Sequence, residues 1–159
     1  MKILPWGSEM LEIRKYKLGF DLWGALLFVA IMLPNGIWFL VPAPADILRN
    51  PSVTPATDAV ASVFQVIMAA AICMLRSAAG RSPMGMRWRL CIVAAVLFYF
   101  AGWGFYYTGI TNPLVIMDLC IAPCLAFILF ALARKNAVAL TAATGFMTCH
   151  VYYGIVNFV

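Results

Sequence analysis

Charge is scarce in this sequence. Only 11% of its 159 residues are Asp, Glu, Lys or Arg, against about 25% in ordinary soluble domains. The acids number 6 and there is 1 histidine, so acid and base chemistry has few places to reside. No Gly-x-Ser-x-Gly nucleophile signature, phosphate-binding loop or Cys-x-x-Cys redox motif occurs. The 5 cysteines are an odd number. Cys120 and Cys124 stand one helical turn apart with parallel side chains, a poor geometry for a disulfide. A lone histidine and two such thiols argue against a metal site, and no cofactor is expected. The net charge of +5 is spread thinly rather than gathered on a basic face, which excludes a nucleic-acid module.

What the chain has in abundance is apolar surface: 65% of residues are hydrophobic and the mean hydropathy is +0.95. That composition excludes disorder and a soluble monomer, and it points to an integral membrane protein. A helix needs about 20 mostly apolar residues to cross a hydrocarbon core of roughly 30 Å. Uncharged runs extend from Leu22 to Ala45, Ala59 to Leu75 and Asn136 to Val159, and Leu90 to Ala133 contains only Asp118 as an acid or base. The last of these is too long for one span. It divides at Gly109 to Pro113, where Asn112 is a natural N-cap and Pro113 a natural first helical residue. The reading is an all-α polytopic membrane protein, a bundle of five transmembrane helices at roughly 18–41, 57–76, 89–108, 113–133 and 136–158. Residues 1–17 form a cytoplasmic or interfacial segment and 18–159 the transmembrane domain. Residues 1–17 are too polar for a cleaved signal peptide, and Ser8 to Lys17 reads as a short interfacial helix.

Orientation follows from the basic residues, which collect on the cytoplasmic side. Of the 11, Lys2, Arg14, Lys15, Lys17, Arg76, Arg81, Arg87, Arg89, Arg134 and Lys135 fall on one side and only Arg49 on the other. This places the N-terminus in the cytoplasm and the C-terminus outside, with a bacterial inner (cytoplasmic) membrane as the expected location and membrane lipids as partners. Pro42 to Thr57, with four prolines, is the one substantial external loop.

Polar residues within spans are costly and therefore candidates for function. Asp58 and Gln65 lie on one face of the second helix with Ser62; His150, Tyr153 and Asn157 lie on one face of the fifth. Asn35, Gln65, Asp118 and His150 each lie about 7–12 Å below the outer end of their helix. Trp103, with Tyr99 and Gly102 beside it, supplies an aromatic wall. These eight residues, Asn35, Asp58, Gln65, Trp103, Asp118, His150, Tyr153 and Asn157, are expected to line a small-molecule or lipid-binding chamber open to the outside, in a receptor or carrier. In it Asp58 guards the mouth, Asp118 supplies negative charge, His150 responds to pH, and Tyr153 with Trp103 forms the wall. The inner half offers nothing comparable: Asp21 pairs with a nearby basic residue or stays hydrated. Two other readings stand beside this one. A membrane-embedded enzyme would act on a lipid or isoprenoid with Asp118 and His150 as acid and base. A non-catalytic subunit would use small-residue faces to bind a membrane partner or another copy of itself. The blander explanation of the polar residues is interhelical hydrogen bonding, worth about 0.6–2 kcal/mol per bond.

Overall fold

The structure, a computed structural model, describes residues 16–78 and 84–159. In chain order it contains β1 (Tyr16–Leu18), α1 (Leu22–Leu40), a 3-10 turn (Ile47–Arg49), α2 (Pro55–Met74), β2 (Leu75–Ser77), α3 (Met86–Tyr107), α4 (Pro113–Ala133) and α5 (Ala137–Phe158). The described residues thus form five long helices, as expected. Four of them, α1 to α4, are long and apolar enough to cross a membrane. Helix α5 is not in that set: Thr141, Thr144, Thr148, His150 and Asn157 dilute its apolar content.

Local chemistry explains where the helices begin. Asp21 Oδ1 accepts from the backbone N–H groups of Trp23 at 3.1 Å and Gly24 at 3.3 Å, capping α1. Asn112 accepts from Val115 N at 3.0 Å ahead of Pro113, and Asn136 accepts from Ala139 N at 3.1 Å. Each cap satisfies a donor that the helix itself leaves open. Helix α2 starts at Pro55, two residues before the expected start, so Gln65 lies roughly 15 Å along it rather than 12 Å.

One expectation is corrected at the other end of α2. The interfacial helix anticipated for Ser8 to Lys17 gives way to a strand at Tyr16 and Lys17; its residues 8–15 lie outside the described residues. Tyr16–Leu18 pairs antiparallel with Leu75–Ser77, in the register Tyr16 to Ser77, Lys17 to Arg76 and Leu18 to Leu75. Gly19 N to Met74 O at 3.0 Å and Asp21 N to Cys73 O at 2.8 Å continue the pairing into the helix ends. Backbone groups left over where α2 stops find partners in the preceding chain, which outweighs the helical tendency of either segment.

Helix α4 is the centre of the bundle, packed between α3 and α5; α5 also lies against α2, and α1 rests more lightly on α2, α3 and α4. The core includes Met68, Ile72, Tyr99, Tyr106, Ile116, Cys124, Phe127, Ala139 and Ala143. Large apolar side chains also cover the outside, among them Leu26, Val29 and Leu33 on α1, Val63 and Val66 on α2, and Leu97 and Phe98 on α3. The strand pair and the α4–α5 join occupy one end of the bundle; the loop of residues 41–54 occupies the other.

Candidate ligand cavity

Beneath the loop of residues 41–54 the five helices line an open cavity of about 410 Å³. Every helix contributes to its wall: Phe28, Ile31 and Asn35 from α1, Asp58, Ala61 and Gln65 from α2, Tyr99 and Trp103 from α3, Cys120 and Phe127 from α4, and Phe146, His150 and Tyr153 from α5. Six of the eight residues singled out in the sequence therefore border one space: Asn35, Asp58, Gln65, Trp103, His150 and Tyr153.

The polar groups in this wall are held in defined positions. Asn35 Nδ2 donates to Tyr99 Oη at 2.6 Å and to Ile31 O at 3.1 Å, joining α1 to α3. The His150 ring stacks between Phe146 and Tyr153, with centroids 4.8 and 6.1 Å away. Trp103 meets Tyr99 and Tyr106 edge to face, at 6.4 and 5.6 Å. Its indole Nε1 is buried and makes no hydrogen bond among the described residues. Buried donors of this kind are uncommon.

Asn157 and Asp118 do not border the cavity. Asn157 is a tether: its Oδ1 accepts from Val53 N at 2.8 Å and its Nδ2 donates to Thr54 Oγ1 at 3.1 Å. Thr54 Oγ1 in turn donates to Asp58 Oδ1 at 3.2 Å, so Asn157 acts on the cavity by positioning the Asp58 carboxylate. Asp118 lies on the seam between α3 and α4. Its carboxylate packs on Gly102, where any side chain would collide with Oδ2, and Oδ2 is buried without a hydrogen-bond partner. The reason is angular: Asp118 is about 200° around the helix from Cys120, while Ile116, Cys120, Pro123 and Phe127 share the cavity face. The negative charge expected from Asp118 is instead supplied by Asp58, the one carboxylate in the wall. No hydrogen bond or ion pair joins Asp118 to His150 among the described residues. Nor do three His, Cys, Asp or Glu side chains come together there as a metal-binding group.

The sequence reading missed the cluster that closes the cavity at its loop end. Asp46 Oδ1 accepts from Trp38 Nε1 and Tyr106 Oη, each at 2.8 Å, and Oδ2 accepts from Arg49 Nε at 2.7 Å and Ala43 N at 3.2 Å. Tyr106 Oη accepts from Leu48 N at 3.1 Å, and the Arg49 guanidinium lies 4.8 Å over the Trp38 ring. Trp38 and Leu48 line the cavity, so this cluster fixes its upper wall. Burial pushes the Asp46 carboxyl upward, but the donors from Trp38, Arg49, Tyr106 and Ala43 together hold it below the ordinary value of 3.8. The spacing of Asp46 and Arg49, three residues apart after two prolines, was the available signal. No protein-family model, curated protein or solved structure matches the chain.

Proposed function

We propose that this chain is a five-span membrane protein, N-terminus cytoplasmic and C-terminus outside, that binds a small amphiphile in the cavity beneath its outer loop, as a receptor or as one step of a carrier. The observation that carries the reading is the convergence of all five helices on one space whose wall combines many aromatic and aliphatic side chains with a few placed polar groups, the usual composition of a small-molecule site. The outward-facing Leu, Val and Phe side chains of α1, α2 and α3 support insertion in lipid. Asp58 favours a ligand carrying a cation or a strong donor, and the rings of Trp38, Tyr99, Trp103 and Tyr153 favour an aromatic body or a quaternary ammonium. The acid–base reading gains nothing from the geometry, because Asp118 and His150 occupy different surfaces.

Benzyltrimethylammonium and its uncharged carbon isostere test this directly, with the fluorescence of Trp38 and Trp103 as the readout. Saturable quenching by the cation is expected. Asp58→Asn should weaken that binding about tenfold, equivalent to roughly 1.4 kcal/mol, and leave the isostere unaffected. Ala61→Phe, which fills the cavity from a buried position, should abolish binding of both. Non-saturable quenching, or affinity unchanged in both variants, would remove the cavity from consideration as a ligand site.

A further inference from the structure

A second cavity, of about 360 Å³, lies at the opposite end of the bundle, under the β1–β2 pair. Lys17 and Arg76 from the strands, Arg134 from the end of α4, and Asp21, Ser77 and Asn136 line it. The two strand cations are direct cross-strand partners. Like charges in that relation repel and cost a strand pair part of its stability. The aliphatic stem of Arg76 passes over Gly19, where an added methyl would lie 3.4 Å from Cδ.

The acid in this wall does not balance them. Asp21 is buried and already occupied: Oδ1 caps α1 at Trp23 N and Gly24 N, and Oδ2 lies 3.3 Å from Arg134 Nε. Among the described residues three cations thus face one carboxylate that is fully engaged, leaving two positive charges in a partly enclosed space. Arginine guanidinium groups match tetrahedral oxyanions through paired N–H donors, and lysine adds a compact charge. Ser77, buried, adds a hydroxyl to the same wall, while the Asn136 amide beside it is taken up by Ala71 O, Leu75 O and Ala139 N.

We infer that this cavity is a site for a phosphate ester, with its oxygens bridging Lys17 and Arg76 and reaching toward Arg134. Such an anion relieves the cross-strand repulsion and so couples occupancy to the strand pair that ties β1 to the end of α2. The phosphate chemistry is common to a phospholipid headgroup and to a soluble phosphate ester, and the source is separable by experiment. Thermal unfolding of the full chain in neutral detergent is followed with inorganic phosphate against chloride at equal ionic strength, and with phosphatidylglycerol against phosphatidylcholine in mixed micelles. The double variant Lys17→Gln/Arg76→Gln is compared with Arg87→Gln/Lys135→Gln, which removes the same charge from exposed positions outside the cavity wall.

The expected result is stabilisation of the wild type with an apparent affinity about tenfold weaker in the first double variant and unchanged in the second. That pattern with inorganic phosphate identifies a soluble ester site; with phosphatidylglycerol alone it identifies a lipid headgroup site. Stabilisation by neither probe, or equal loss in both double variants, overturns the assignment. If the first double variant does not fold, Lys17→Gln alone carries the same comparison.

Discussion

Asp46 organises the loop end of the bundle through four hydrogen bonds that converge from Trp38, Ala43, Arg49 and Tyr106 on one carboxylate. Because its folded value lies below the ordinary 3.8, the unfolded chain takes up the proton first as pH falls. The stabilisation from Asp46 is therefore complete above 3.8 and disappears as pH drops through the lower folded value; in that window stability rises with pH. The emission of Trp38 should report a loop transition below pH 3.8 that is absent in Asp46→Asn. Asp46→Ala should cost about 1–3 kcal/mol at neutral pH, since it strands the Trp38 and Tyr106 donors. A stability profile of wild type and Asp46→Asn that coincide from neutral to acid pH would show that the carboxylate charge holds nothing. The same reasoning does not reach Asp118, whose buried Oδ2 has no donor and whose neighbour is the bare backbone of Gly102.

Between elements, the distances of closest approach are set by glycines, and they separate two kinds of substitution. A methyl at Gly24 of α1 would collide with the Ile72 carbonyl of α2, a backbone atom that cannot rotate aside. Gly24→Ala should lower stability by about 1–3 kcal/mol, read as a fall in melting temperature, because α1 must lift off α2. Gly104 on α3 has nothing within 4 Å of the same position, and Gly104→Ala should raise stability by up to about 1 kcal/mol through helix propensity alone. Equal effects at the two sites would contradict the packing of α1 on α2. The helices themselves were legible in the sequence because long uncharged runs and the caps at Asn112 and Asn136 are local signals. The strand pair was not, since Tyr16–Leu18 acquires its partner only from the distant Leu75–Ser77. That same long-range pairing assembles the basic cavity in a half of the molecule where the linear sequence shows only scattered arginines. The residues bordering the larger cavity were readable from helical spacing in α2 and α5, where Asp58, Gln65, His150 and Tyr153 fall on inward faces. Asp118 turns toward Gly102 of α3 because the packing of α4, which no local pattern encodes, decides which of its faces meets the cavity, and the Asn157–Thr54–Asp58 relay depends on how the loop folds over α5.

At the scale of the whole molecule, the basic residues are sorted by end of the bundle, whichever end of a helix that places them at. Arg87 and Arg89 stand at the start of α3, whose first turn holds no acid and whose cap, Gly85, offers no side chain. Cations near the positive end of a helix dipole cost up to about 1 kcal/mol each. Arg134 and Lys135, by contrast, follow the negative end of α4 and Arg76 that of α2, yet with Lys17 they sit at this same end of the bundle; among the described residues Arg49 alone stands at the other, where Asp46 neutralises it. Sorting by end irrespective of the dipole is the pattern that retention of basic residues on the cytoplasmic side of a bilayer would produce, in keeping with the proposed topology. Thiol labelling distinguishes this from chance. With the 5 native cysteines replaced, Asn50→Cys in the loop after the 3-10 turn should react with a membrane-impermeant maleimide in intact cells. Ala78→Cys, exposed just beyond β2, should react only after permeabilisation. The reverse pattern would invert the topology and place the phosphate site on the outer face. Labelling of both positions in intact cells would mean that the apolar flanks of α1 to α3 are covered by something other than a bilayer.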